Sequence, residues 1–205
     1  MRIERLEPSR HVKGRFLVHL ENGALLKVTE REILSFSLYT GMELDGETVK
    51  SLSEAGRESS AKSRAAAMVG ARPLSRQELV RRLEEKGEDP EHAQTAADWL
   101  EELGALDDAA YGRSVARHYA AKGYGPRKIQ DELYRRGVPR ELWEQAMEEA
   151  EGAEAGIDRY LRQKLRGSQD PKDLKRAADG LARRGYRWPD IRDGLRRYGA
   201  EVEET

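Results

Sequence analysis

The sequence contains no cysteine, few aromatic residues (6%) and no long apolar run. The lack of cysteine excludes disulfides and thiolate metal sites, and it is compatible with a reducing compartment. The opening residues MRIERLEPSR hold no apolar stretch of signal-peptide length, and no later window approaches a membrane span. We therefore expect a cytoplasmic protein that makes no use of a membrane.

Charged residues (37%) are almost as abundant as apolar ones (38%). This balance leaves little material for one thick core and favours small amphipathic helical units. The net charge of −1 conceals two basic stretches: Tyr111–Arg140 has 8 basic and 2 acidic residues, and Lys172–Arg197 has 9 and 4. Such patches indicate a polyanion or an acidic protein surface as partner, with a solvated helix face as the alternative.

A repeat with a period of about fifty residues is the strongest feature of the chain. ELVRRLEEKG (78–87), KIQDELYRRG (128–137) and RAADGLARRG (176–185) share one template of apolar, basic and glycine positions. A proline follows each closing glycine within four residues. The glycine suits the left-handed residue after a helix, and the proline suits the first turn of the next helix. Each copy therefore predicts a helix–turn–helix corner.

The starts of the repeat helices are also legible. Ser75–Glu78 has the pattern of a capping box, and Asp170 places an acceptor before Pro171. In the same register, Gly125-Pro126 in the stretch GYGPRK begins a helix and is not a nucleotide loop, because no preceding strand or glycine-lysine pair is present. A helix start can also bind an anion, so contact of an anion with Arg127 and Lys128 stays open.

A third helix completes each unit, which yields three tandem three-helix repeats stacked on one another. Asp107 and Asp108 offer N-caps for the helix AAYGRSVARHYAAKG. We assign the apolar and aromatic positions of these helices to the core, with base stacking as the alternative for the aromatic ones: Tyr111, Val115, Tyr119, Ile157, Tyr160, Leu161 and Leu165. The predicted repeats span residues 57–106, 107–151 and 152–205, and the last ends in a short acidic tail. In the first repeat the third helix is predicted at Ser59–Val69.

Residues 1–56 follow a different pattern. GRFLVHL and ALLKV read as two strands joined by the Asn22-Gly23 turn signal. Thr29–Glu32 has the pattern of a capping box and opens a short helix through Leu38 that stops before Gly41. AGRESSAK (55–62) is either a linker or the frayed start of the first repeat. The fold class we expect is mostly α: an elongated curved array of three helix-turn-helix-like repeats after a small α+β hairpin module.

No catalytic constellation is evident. The four histidines are scattered without ligand spacing, and no nucleotide, dinucleotide or zinc-protease motif occurs. Adjacent acidic pairs such as Glu84-Glu85 diverge by about 100° on a helix, so they do not form a two-carboxylate site. We expect no enzyme, no metal and no cofactor.

The stretch LEELGALDDAAYGRSVARHYAAKGYGPRKIQDELYRRGV closely resembles the RecX family of bacterial regulators. The resemblance covers Ser63 to about Tyr198, with LEELGALDD, Tyr111, GYGPRKIQDEL and RRGV as its most specific pieces, and LARRGYRWPDIRDGLRRYG is similar to the family's last repeat. One departure is Glu88, where an aromatic residue commonly follows the glycine.

The resemblance implies a non-enzymatic regulator of the recombinase RecA, with a role in DNA repair, homologous recombination and the SOS response. Family members are thought to lie in the groove of the RecA–single-stranded DNA filament and to inhibit ATP turnover, strand exchange and filament growth. We expect a monomer with only weak direct contact to DNA. The alternative is a direct DNA- or RNA-binding protein that uses the basic helix-turn-helix faces.

The candidate contact residues for either partner are the cations of the repeats. They are Arg81, Arg82, Lys86, Arg113, Arg117, Lys122, Arg127, Lys128, Arg135, Arg136, Arg183, Arg184 and Arg187. Glu84, Glu85 and Glu88 weaken the basic character of the first repeat. The nearly neutral total charge counts against a dedicated DNA-binding protein.

Overall fold

The computed structural model describes residues 1–148, 150 and 152–199. Over these ranges the chain is mostly helical with a small antiparallel sheet at its N-terminal end, as the sequence predicted. It divides into two compact units. The first holds Met1–Pro73 and Leu79–Leu106, and the second holds Leu74–Glu78 and the chain from Asp107 onward. The predicted acidic tail lies outside the described residues, and within those residues no helix has the length and apolarity that a membrane crossing requires.

The sheet of the first unit has three strands in the order β1 (Ile3–Pro8), β2 (Arg15–Leu20) and β3 (Leu25–Thr29). The predicted hairpin is β2–β3, and its turn contains Gly23 with a φ of +80°. Strand β1 was not predicted. Its sequence IERLEP does not alternate cleanly, and its register with β2 shifts between Ile3 and Arg5, so period-two patterning provided no signal.

Helix α1 spans Glu30–Ser35 and begins with the predicted capping box. The backbone N–H and the hydroxyl of Thr29 donate to Glu32 Oε2 at 2.7 and 2.6 Å. The predicted end at Leu38 was wrong, because Ser37 turns left-handed with a φ of +50° and the N–H of Leu38 donates back to the Ile33 carbonyl at 2.9 Å. This hydrogen bond closes the helix three residues early.

Helix α2 is continuous from Gly46 to Ala71 and therefore crosses the predicted boundary between residues 56 and 57. The stretch AGRESSAK is neither a linker nor a frayed end. Its small residues pack closely: Gly56 lies against the carbonyl oxygen of Lys27 on β3, and Ala61 is fully buried, as is Ala65 one turn further along the helix. Because glycine and alanine are only weakly hydrophobic, a buried helix face made of them shows no apolar periodicity in the sequence. Such a segment is easily mistaken for a linker.

Two further helices follow α2: α3 (Arg76–Glu85), whose first residues belong to the second unit, and α4 (Pro90–Glu102). Gly87 takes the predicted left-handed conformation (φ +84°), and Asp89 caps α4 by accepting from the N–H of Glu91 at 2.9 Å. Glu88, the departure from the family pattern, is paired with Arg64 at 3.0 Å. At this position the chain therefore has an ion pair where the family pattern has an aromatic residue.

The second unit contains the remaining helices: α5 (Asp108–Ala121), α6 (Pro126–Arg135), α7 (Trp143–Glu148), α8 (Ala153–Leu165), α9 (Pro171–Arg183) and α10 (Trp188–Arg197). The corner glycines Gly137 and Gly185 are left-handed, at φ +70° and +89°. Pro189 lies in the first turn of α10, as predicted. Pro139 instead precedes a 3-10 turn, Arg140–Leu142, and α7 starts only at Trp143, whose indole N–H donates to the Val138 carbonyl at 2.9 Å.

The cores of the second unit follow the predicted repeat. One cluster contains Tyr111, Val115 and Leu133 with Tyr119 packed against it. The other contains the predicted residues of α8, namely Ile157, Leu161 and Leu165, with Tyr160 packed beside them. Asp107 is the N-cap of α5 and accepts from the N–H of Ala110 at 2.8 Å.

Asp108 has a different role from the predicted one. Its carboxylate accepts from the backbone N–H of Arg76 at 2.8 Å and so satisfies the start of α3. In the same place the Ser75 hydroxyl donates to the Arg136 carbonyl at 2.5 Å, at the end of α6. The start of one repeat helix thus sits on the end of the next one.

Candidate partner-binding site

The start of α6 docks on the end of α9. The N–H of Gly125 donates to the Arg184 carbonyl at 2.8 Å, and the N–H of Arg127 donates to the Gly185 carbonyl at 3.1 Å. The free N–H donors at the start of α6 are thereby satisfied by carbonyls directly after the end of α9, where the positive end of one helix dipole faces the negative end of the other. These two amides are not available to an anion, so GYGPRK acts here as a helix start.

Two glycines make this close approach possible. A Cβ on Gly125 would lie 2.5 Å from the backbone nitrogen of Tyr186 and 2.7 Å from the carbonyl oxygen of Gly185. A Cβ on Gly185 would lie 2.5 Å from the backbone nitrogen of Lys128. Since the obstacles are backbone atoms, a side chain cannot be accommodated by a rotamer change.

Arg184 is built into the same contact. Its Nη1 donates to the carbonyls of Lys122 and Gly123 at 3.1 and 3.2 Å, at the end of α5. Its guanidinium lies 5.0 Å from the ring centroid of Tyr160 and 5.7 Å from that of Tyr124. The sequence analysis placed Arg184 among the partner contacts, but its Nη1 and its flat face are engaged inside the second unit.

Arg136 is likewise engaged inside the second unit. Its Nη1 donates to the Tyr111 hydroxyl at 3.0 Å, and its Nε lies 3.7 Å from Glu132 Oε2. Burial of Glu132 opposes its ionisation, but hydrogen bonds from Arg135 and Tyr119 and the Arg135 and Arg136 charges outweigh burial, so the pKa of Glu132 lies below its ordinary value. Arg136 therefore supports the core of the second repeat.

Most other predicted contact cations also have partners. Arg81 pairs with Glu85 at 2.5 Å, Arg135 pairs with Glu132 at 2.5 Å, and Lys128 Nζ lies 4.0 Å from Glu132 Oε1. Lys122 Nζ lies 5.9 Å from the Tyr119 ring centroid. Lys86 is exposed and lies in the first unit. Three further arginines each have an interaction of their own: Arg82, Arg113 and Arg117.

Three guanidinium groups remain at the place where α6 meets α9: Arg127, Arg183 and Arg187. All three are exposed, and within the described residues none has a carboxylate at ion-pair distance. The backbone bond from Arg127 to Gly185 brings the second-repeat cation beside the third-repeat pair. We call these three residues the basic joint. The sequence marked each of them but not their adjacency, which results from a tertiary contact.

The described residues contain no group of His, Asp and Glu side chains that could hold a metal ion. The buried His92 is paired with Glu54 at 2.7 Å, within the first unit. Fold and surface therefore define a helical-repeat protein whose second unit carries an exposed cationic joint.

Comparison with known proteins gives the family. The family model described as RecX, second three-helix domain, matches residues 107–147. "Regulatory protein RecX" of Xanthomonas axonopodis pv. citri (strain 306) is 38% identical over 136 residues, which is 65% of this chain and 84% of that protein. The protein of the same name from Stenotrophomonas maltophilia (strain R551-3) is 37% identical over 143 residues, or 68% and 88% of the two chains. The chain belongs to the RecX family of regulatory proteins.

Two solved structures share the fold. The crystal structure of a regulatory protein RecX has a TM-score of 0.72 at 20% identity and covers 94% of this chain and 98% of its own. The crystal structure of RecX from Lactobacillus salivarius has a TM-score of 0.63 at 15% identity, with 71% and 98% covered. At these identities the likeness concerns the fold alone.

Proposed function

We propose that this chain is a negative regulator of the recombinase RecA. In this proposal it binds in the groove of the RecA–single-stranded DNA filament and inhibits ATP turnover, strand exchange and filament growth. The observation that supports it within the family is the basic joint, where a backbone hydrogen bond joins two repeats whose neighbouring arginines are exposed and unpaired. Such a role requires no catalytic group and no cofactor, and it places the protein in the cytoplasm with the recombinase.

The joint suits a filament surface for a physical reason. The guanidinium groups of Arg127, Arg183 and Arg187 form no ion pair within the described residues, so no internal ion pair has to break when they bind an acidic protomer surface. The free-energy cost of the new pairing is then only the partial desolvation of the three groups. Exposed cations of this kind raise association rates and select partners by charge complementarity. Several weak contacts carried on one chain also reinforce each other through effective concentration.

The test is the DNA-dependent ATPase of the cognate recombinase, titrated with the full chain. Inhibition is expected at ratios from substoichiometric to equimolar. In the variant Arg127→Glu/Arg183→Glu/Arg187→Glu, the concentration for half-inhibition should rise by about tenfold or more, since each rim charge contributes on the order of 0.5 kcal/mol. Urea unfolding of the variant checks that the fold is retained.

A matched control separates the joint from net charge. Arg10, Lys13 and Lys50 are exposed cations of the first unit, and among the described residues no side-chain ion pair involves them. Reversing these three to glutamate changes the total charge by the same amount and should leave inhibition unchanged. Equal loss in both triple variants would remove the joint as the contact, and no inhibition by the unmodified chain would refute the regulatory role.

A further inference from the structure

Trp188 is an exposed indole with no structural partner within the described residues, and 56% of its surface is accessible. The other two tryptophans are engaged. Trp143 donates its indole N–H to the Val138 carbonyl and lies 5.4 Å from the Arg140 guanidinium, while Trp99 lies 5.9 Å from Lys62 Nζ. An exposed tryptophan adds nothing to the core, and large exposed aromatics are typical of contact sites.

The position of Trp188 is held firmly. It is the first residue of α10 and is followed by Pro189, which restricts the backbone of the first turn. Ile191 and Leu195 of the same helix are fully buried in the third-repeat core. The indole is therefore presented on a rigid helix end, which keeps the entropy cost of a stacking contact low.

The residues of the basic joint lie close to Trp188 through the backbone. Arg187 precedes Trp188 directly, Arg183 ends α9 on the other side of the corner, and Arg127 reaches the corner through its hydrogen bond to Gly185. The corner between α9 and α10 thus carries one exposed indole, and three arginines with unpaired guanidinium groups have their backbones at or beside this corner. Lys172 and Lys175 extend the positive charge along the exposed side of α9, and both are exposed without a carboxylate partner among the described residues.

We propose that the basic joint binds single-stranded nucleic acid directly, with a base stacked on Trp188 and phosphates paired with Arg127, Arg183 and Arg187. Unpaired bases need a π-face and phosphates need cations, and this is the combination that proteins use for single strands. A duplex would leave the indole unused, because its bases are already stacked. An acidic peptide would use the cations but not the indole. This binding requires no recombinase and goes beyond the proposed regulatory function.

The test uses the full chain without recombinase and an oligothymidylate of about 20 nucleotides, longer than the site sizes of ~4–16 nucleotides seen for single-strand grooves. Binding at low salt should quench tryptophan fluorescence, and the quench should vanish in Trp188→Phe. In Trp188→Ala the affinity, measured by anisotropy of a labelled strand, should fall by about 5- to 150-fold. Trp188→Phe keeps a stacking ring and should lose less. A parallel titration with oligouridylate assigns the preferred strand as DNA or RNA.

Two controls make the result specific. Tyr39→Ala removes a comparably exposed aromatic (62%) from the first unit and should not change the affinity. Arg127→Gln/Arg183→Gln/Arg187→Gln should reduce the slope of log affinity against log salt by about 2, since each phosphate contact on a single strand contributes ~0.7. The matching glutamine variant of Arg10, Lys13 and Lys50 should leave the slope unchanged.

Several outcomes would overturn the proposal. They are absence of binding at low salt, binding that neither quenches Trp188 nor weakens in Trp188→Ala, and equally strong binding of polyglutamate or of a duplex of matching sequence. The alanine variant should keep the urea midpoint of the parent chain, and the phenylalanine variant serves if it does not. Because recombinase is absent, each of these outcomes leaves the ATPase test of the proposed function intact.

Discussion

Substitution of Gly125 by alanine probes the contact between α6 and α9 directly. The new methyl carbon would lie 2.5–2.7 Å from backbone atoms of Gly185 and Tyr186, which cannot rotate away. Overpacking of this kind costs about 1–3 kcal/mol. Displacing the helix start also breaks the two backbone hydrogen bonds to the Arg184 and Gly185 carbonyls, each worth about 0.5–1.5 kcal/mol. The free energy of unfolding of the second unit should therefore fall by about 2–6 kcal/mol.

The matched control is Gly152→Ala. Gly152 is also a helix N-cap without a side-chain hydrogen bond, at the start of α8, and no atom lies within 4 Å of the position that its Cβ would occupy. The intrinsic cost of alanine at an N-cap, on the order of 0.5–1 kcal/mol, is common to both variants, so the difference between them measures the close approach.

Urea unfolding and amide hydrogen exchange by NMR provide the assay. In the parent chain the amides of Gly125 and Arg127 should be protected from exchange, because each donates to a carbonyl across the contact. In Gly125→Ala these two amides should exchange rapidly, while amides of the first unit, such as that of Leu20, keep their protection. If Gly125→Ala matches Gly152→Ala in stability and in exchange, the two helix ends do not meet as described.

Two further changes test the buried contacts of each unit. The pKa of Glu132 is lower in the folded state than in the unfolded state, so its carboxylate stabilises the fold above the unfolded-state pKa and that stability is lost as the pH falls through the folded-state pKa. Glu132→Gln should cost about 1–3 kcal/mol at neutral pH. In urea titrations at decreasing pH, its stability should converge on that of the parent chain once the pH is below the lowered folded-state pKa of Glu132; a constant difference across pH would contradict the ionised carboxylate. Gly56→Ala should destabilise the first unit by about 1–3 kcal/mol, because its methyl group meets the Lys27 carbonyl oxygen. In the same helix Gly70→Ala meets no atom and should stabilise by about 0.5–1 kcal/mol, so equal melting temperatures for the two variants would count against the packing of α2 on β3.

Local chemistry explains which elements could be predicted. The corners at Gly87, Gly137 and Gly185 require a residue in the left-handed conformation. Glycine adopts this conformation most readily, so its position in the sequence predicts the corner. The capping box at Thr29 is equally local. Helix α2 was predicted too short because, after Leu52, its buried residues are glycine and alanine, and Gly56 is buried by its close approach to β3 and not by its own hydrophobicity.

The candidate site likewise has features that the sequence could predict and features that it could not. Every guanidinium of the basic joint was among the predicted cations, since charge is a property of the residue itself. Which cations have partners inside the unit could not be predicted. Arg184 and Arg136 look like Arg183 and Arg127 in sequence, yet Nη1 of Arg184 donates to two backbone carbonyls and Nη1 of Arg136 donates to the Tyr111 hydroxyl. Trp188 was not among the predicted contact residues, because those were chosen by charge.

The order of residues along the chain is enough to derive the helical repeats, their corners, the β2–β3 hairpin and the positive character of the second and third repeats. Each of these depends on residues a few positions apart, where the allowed backbone conformations and the period of apolar side chains act directly. The folded arrangement was needed to establish which charges stay unpaired and that the start of α6 rests on the end of α9. Those properties depend on contacts between residues about sixty positions apart in the chain, such as Gly125 and Arg184, and no local pattern encodes them.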